Sequence, residues 1–396
     1  VQIRALRQAA VLADTHLEDD RRAVRQLRRV LELDPLQLEA IEQLAGIYGR
    51  SGDREALDRH MEGAVERHRE ALIDRPFDSK LYWQLGRLFR WRRKLDAQYC
   101  SYVALSRLGP LGTSELEFLQ RHRDRCSKGP MGALSPEQYE SLVLAREARG
   151  PGRDLLHAIG AKLGKLVGAH PVSHGLNRSH RVSQTVCDLY VELAAGLGIR
   201  ELEIEVWVSH AQPDAVVAEF FSGPALVVGE RLADNLGHPA SRFRLGRALC
   251  LLFEHHVVLQ RWADVRVLLA ALGEVAQHPL QVAVPDGKLV AERVEALGRV
   301  LTRKDRRHLA VLLPPLVDGA DRSDSPGALS GLARALEHSA CRAGLVLAGD
   351  PQVALDETEK LYGGPRSSHL ADLLRYVVSG EYFAVRRALQ LAPETG

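Results

Sequence analysis

The chain is 396 residues long, 45% hydrophobic and 26% charged, with aromatics at only 5%. Fifty-three Lys and Arg against 51 Asp and Glu leave a formal charge of +2, too balanced to call for nucleic acid. No apolar run reaches the length of a membrane span. The five cysteines (Cys100, Cys126, Cys187, Cys250, Cys341) are scattered and never form a CxxC pair, which argues against a disulfide framework and against a cysteine zinc site. The length predicts two or three domains of a globular protein, with abundant Ala, Leu and Arg favouring helices and a cytoplasmic setting expected.

Three prolines, Pro35, Pro76 and Pro110, frame residues 1–130. Ile41, Leu44, Ala45 and Tyr48 follow Pro35 at the same offsets at which Tyr82, Leu85, Gly86 and Phe89 follow Pro76. Ala23, Leu27 and Val30 precede Pro35, as Ala97, Tyr102 and Leu105 precede Pro110. This alternation of small and large residues in phase resembles the tetratricopeptide repeat, whose first helix reads W-x2-L-G-x2-Y. Pro76 to Pro110 is 34 residues, the standard period, while Pro35 to Pro76 is 41; the excess predicts a longer second helix over Arg54–Ile73. About three repeats fit, the minimum expected to stand alone, so the array is expected to continue upstream of Val1.

The resemblance implies an N-terminal α-solenoid whose groove takes a protein partner. Its candidate contact residues are Tyr48 and Tyr82 with Arg87, Arg90, Trp91, Arg93 and Lys94 of the densest basic cluster. That cluster also offers a less favoured nucleic-acid reading; a solvated helix face is the simpler one.

Breakers at Gly109–Gly112 and Ser127–Gly132 close this region. Ser135-Pro136-Glu137-Gln138 has the pattern of a helix start, and helices are expected over Arg153–Ala169 and Ser183–Ala195. His170, His174 and His180 lie between them in HPVSHGLNRSHR. Pro171 and Gly175 spoil any i,i+4 ligand geometry, so an exposed loop is expected there rather than a metal site.

From Glu201 the pattern changes. Leu202, Ile204, Val206 and Val208 alternate with polar or outward positions, the period of a half-buried strand. Apolar runs at 216–221 and 225–228 predict two more strands, and a long helix carries Phe243, Leu245, Ala248, Leu249, Leu252 and Phe253. This layout, with Pro213–Ala218 and Leu226–Leu232 ahead of Leu245-Gly246-Arg247-Ala248-Leu249-Cys250-Leu251 and His256, resembles the core of the HExxH zinc peptidases of the gluzincin kind. In such a frame Arg247 stands for the first ligand histidine, Ala248 for the general-base glutamate and Leu251 for the second histidine. Arginine keeps its proton and leucine has no lone pair, so the resemblance implies a zincin-like domain over 131–280 without metal, cofactor or catalysis. Arg247 is expected to make an ion pair where the metal would have been, and Glu219 to face solvent.

The region 281–396 predicts helices over 288–300, from Thr302, over 330–347, 351–362 and 368–378, and a docked tail helix near Glu381–Leu389. A turn or short strand is expected over 279–287. No phosphate loop, GxSxG elbow or HExxH occurs. The order of segments resembles the C-terminal parts of large bacterial tetratricopeptide-repeat proteins. The fold expected is mainly α, α+β overall, with a central small mixed sheet. The function expected is a non-catalytic scaffold or adaptor. The alternative from another class is a hydrolase with a non-standard metal site drawn from His210, Glu219, Glu254 and His256.

Overall fold

A computed structural model describes residues 2–262, 265–278, 287–314, 316 and 327–391. Helices take 71% and strands 5%. The chain divides into two compact units, each described by itself. One holds residues 1–126 together with 374–383; the other holds 127–373 together with 384–391. The turn or strand expected over 279–287 falls outside the described residues, apart from Gly287.

The first unit opens with seven helices: α1 (Gln2–Thr15), α2 (Asp20–Leu33), α3 (Leu38–Ser51), α4 (Arg54–Asp74), α5 (Ser79–Trp91), α6 (Leu95–Ser106) and α7 (Thr113–Cys126). Each packs on the next in sequence. Asp19, Asp53 and Asp78 start α2, α4 and α5 by accepting from first-turn backbone N–H groups, the orphan donors of any helix start. Gly52, at φ 74°, ends α3 in the left-handed conformation. The in-phase residues are the core: Ala23, Leu27, Val30, Ile41, Leu44, Ala45, Tyr82, Leu85 and Phe89 are all buried. The small position has a visible cause at Gly86, where a Cβ would run into the ring of Tyr102 on α6. Residues 374–383 complete this unit: Arg69 Nε donates to Val378 O at 2.8 Å, and Phe89 meets Phe383 edge-on at 5.6 Å.

In the second unit the box at Ser135 forms, its hydroxyl accepting from Gln138 N while Ser135 N donates to the Gln138 side chain. The helix it opens lasts three residues and continues as a π turn, Tyr139–Val143. Then come α8 (Pro151–Val167), α9 (Gln184–Gly196), the strands β1 (Glu205–Ser209), β2 (Val216–Phe220) and β3 (Pro224–Gly229), and helices α10 (Pro239–Phe253), α11 (His256–Arg261), α12 (Val265–Val275), α13 (Gly287–Val300), α14 (Arg303–Leu312), α15 (Gly327–Ala348) and α16 (Pro351–Tyr362). Helices α17 (Ser368–Val377) and α18 (Gly380–Ala388) carry the chain across the unit boundaries.

The sheet is mixed, in the order β1-β3-β2, with β1 parallel and β2 antiparallel to β3. One face (Val206, Phe220, Leu226, Val228) joins the core with α9, α10 and α15. The other is covered too: Trp207, Phe221, Ala225 and Val227 pack with Leu176. That is why Trp207, which alternation sets on the outside, is only 6% exposed.

The boundary expected near 280 has no counterpart. Core residues on α10, such as Leu245 and Leu249, pack with Ala340, Ala343 and Leu347 of α15. Leu155 and Leu163 of α8 share a second core with Leu297, Leu309 and Leu336. The two segments bury one another's apolar faces and form one unit.

Candidate functional site

Helix α10 carries the Leu245–Leu251 frame, and two glycines bring it against α15. A Cβ on Gly246 would lie 2.8 Å from Ala343 O, and one on Gly344 would lie 2.6 Å from Phe243 O. The helices therefore approach backbone to backbone, which a side chain at either position would prevent. Of the three positions singled out in the sequence, Ala248 and Leu251 are 1% and 3% exposed and belong to the core. Arg247, about 40° round the helix from Leu251, instead faces a polar cluster.

Arg247 donates to the Tyr362 hydroxyl from Nη2 at 3.0 Å and from Nε at 3.3 Å. Tyr362 stacks on His369, ring centroids 3.5 Å apart and planes 7° from parallel. His369 Nε2 donates to Glu337 Oε2 at 2.8 Å, and the other Glu337 oxygen lies 3.8 Å from His256 Nε2. Beside them His338 meets His369 edge-on at 5.0 Å, and Arg342 grips Asp372 with two bonds of 2.9 and 2.7 Å. The ion pair expected of Arg247 is corrected: its direct partner is a neutral phenol, and Glu337 acts on it only as a nearby charge.

Electrostatics keep the thiol and the phenol of this cluster protonated. Burial pushes the Cys341 thiol up to about 11 and the Tyr362 phenol up as well. Neither is poised as a nucleophile at neutral pH. Burial also pulls His256 down to about 4, against the raising pull of Glu337. Burial works against the Glu337 carboxylate, but the His369 hydrogen bond and the nearby Arg247 charge help hold it below its usual range.

Two of the other buried carboxylates, Glu254 and Glu219, are each held by an arginine and a histidine. Glu254, 0% exposed, accepts from Arg153 Nε at 2.7 Å, His157 Nε2 at 3.0 Å and Tyr139 OH at 3.1 Å. Glu219 is 2% exposed, pairs with Arg261 and has His174 Nε2 at 3.0 Å. The expected solvent-facing Glu219 is thus corrected, because α11 and the 171–174 turn cover that face of the sheet. The exposed-loop reading of HPVSHGLNRSHR is corrected for His174 by the same contact, while His170 stays exposed. His210 turns to Glu230, Nδ1 to Oε2 2.8 Å. The four residues of the alternative hydrolase site therefore have four separate sets of partners. Among the described residues no group of three or more His, Cys, Asp or Glu has the geometry to hold a metal ion.

On the first unit, Tyr82 is fully buried and donates to Pro76 O at 2.8 Å, so it is core. Tyr48 is half-buried and accepts from Arg28 at 3.2 Å. Arg87 is held by Glu42 at 2.8 and 3.1 Å, and Trp91 Nε1 donates to the same oxygen at 3.2 Å. Arg90, Trp91, Arg93 and Lys94 remain exposed, so the basic cluster is divided between a braced arginine and an open rim.

Sequence reading missed Glu337, His338, Tyr362, His369 and Asp372, which lie 90–125 residues from Arg247. A signal existed: Glu337 and Cys341, and His338 and Arg342, are i,i+4 pairs on a largely apolar helix. No protein family, no curated protein and no solved structure matches the chain.

Proposed function

We propose that the chain is a non-catalytic scaffold or adaptor. Its helical first unit binds a protein partner, and its second unit is a zincin-like domain without the zinc chemistry. The observation that carries this reading is the burial of Ala248 and Leu251 at 1% and 3% exposure. A catalytic zinc needs imidazoles one helical turn apart, a carboxylate and an open position for water; apolar packing occupies that side of α10. The partner surface in this reading is the open rim of Arg90, Trp91, Arg93 and Lys94, whose large amphipathic side chains are of the type that anchors interfaces.

Metal content tests the catalytic half of the proposal. Protein expressed with added zinc and dialysed against a weak chelator should carry far less than one zinc per chain and show no hydrolysis of peptide substrates. Stoichiometric zinc would overturn the reading. For the binding half, a photo-crosslinker at Lys94 should give a discrete adduct in cells, and Trp91→Ala should weaken it; labelling that ignores Trp91→Ala would count against this rim.

A further inference from the structure

A second feature of α10 lies at its other end. A cleft of about 550 Å³ opens at its first turn, lined by Asp214, Arg231, Asn235, His238, Ser241 and Arg244 among others. Its size is that of a small-molecule site. Ser241 is 2% exposed and lines the cleft, and its hydroxyl has no hydrogen-bond partner among the described residues. The turn around it is otherwise satisfied: Ala240 N donates to His238 Nδ1 at 3.2 Å and Arg242 N to His238 O at 3.0 Å.

The N–H of Ser241 is thereby left among the orphan donors of a helix start, at the positive end of the 15-residue α10. Arg244 is one turn on and on the same side of the helix. Its Nε is fixed to Glu357 at 2.6 Å and its Nη1 to Asp214 O, which orients the guanidinium, and Arg244 lines the cleft. At the mouth, Arg231 pairs with Asp214 at 3.0 Å, both more than half exposed, a contact weak enough for Arg231 to leave.

We propose that this cleft binds the phosphate group of a small phosphorylated molecule. Ser241 supplies a hydroxyl and an amide along the helix axis, and Arg244 supplies a guanidinium edge from the side. Donors arriving from two directions match a tetrahedral oxyanion, whose three free oxygens have more acceptor capacity than a planar carboxylate. Arg231 exchanges Asp214 for the ligand and closes the mouth. The remaining volume takes the body of the molecule that carries the phosphate.

Titration of the full chain with inorganic phosphate, followed by calorimetry at constant ionic strength and repeated with acetate, tests this. Phosphate should bind, and acetate at least ten-fold more weakly. Ser241→Ala removes a hydroxyl that makes no bond in the fold, so the variant should melt no lower than the parent and bind phosphate roughly ten-fold more weakly. Ser241→Asp puts a negative charge where the helix start favours one and should abolish binding with the fold intact. Absence of phosphate binding to the parent chain, equal affinity for acetate, or phosphate binding unchanged in both variants would each overturn the proposal.

Discussion

Gly246→Ala isolates the close approach on which the Arg247 cluster depends. The added Cβ would sit 2.8 Å from Ala343 O and 3.0 Å from Leu347 Cβ, where ordinary contact begins at 3.4 Å. The carbonyl belongs to the middle of α15 and cannot rotate away as a side-chain tip would, so the helices must part by more than half an ångström. Overpacking of this kind costs about 1–3 kcal/mol, and alanine in a helix returns about 0.5–1 kcal/mol of it. The net loss is centred near about 1 kcal/mol, or a melting temperature lower by roughly 2–4 °C for a unit of this size. Calorimetry should show that fall, with Gly49→Ala as control: Gly49 lies in α3 with nothing within 4 Å of its added Cβ and should gain about 0.5–1 kcal/mol. A Gly246→Ala chain as stable as the parent would refute the backbone-to-backbone packing.

Glu254→Gln leaves Arg153 buried beside a neutral amide, and urea unfolding should show a loss of about 3–5 kcal/mol. The Glu254 carboxylate is held below its usual range by His157 and Arg153 although burial alone would raise it, so the stability it supplies is present above the carboxylate range and lost as pH falls through it; the variant should lose less on acidification. His256 stays neutral in the fold down to about 4 but titrates at 6.5 in the unfolded chain; the fold should lose about 2 kcal/mol from this residue between pH 7 and pH 5. His256→Gln should flatten that slope in urea titrations at the two pH values, and an unchanged slope would exclude His256 as its source. Gly86→Ala should destabilise the first unit because its Cβ meets the Tyr102 ring; in a double-mutant cycle, Tyr102→Leu should recover about 1 kcal/mol of the loss.

The helices of the first unit were legible because their small and large apolar residues recur in phase about Pro35, Pro76 and Pro110. The extra length between Pro35 and Pro76 went where expected, into the 21 residues of α4. The three strands were legible from apolar runs, but their order was not: alternation gives a strand its faces and says nothing of which strand lies between two others. Glu219 misled for a related reason. A carboxylate in a strand normally faces water, and only the arrival of Arg261 and His174 from distant segments makes its burial tolerable. That Arg247 lies on a helix was legible from the apolar spacing around it, whereas Tyr362 and His369 come from α16 and α17, and no local pattern links them to α10.

The division of the chain has a consequence for the order in which the molecule can be completed during synthesis. Residues 374–383 belong with residues 1–126, and 384–391 belong with 127–373. The ribosome therefore passes residue 373 before the unit of residues 1–126 receives the Val378 carbonyl that Arg69 holds and the Phe383 ring that Phe89 meets. Until then seven helices wait with an open seat. A nick near residue 127 severs the first crossing and leaves the later ones intact, so the pieces remain joined by the late segment and neither can be prepared whole from a single continuous stretch of the gene.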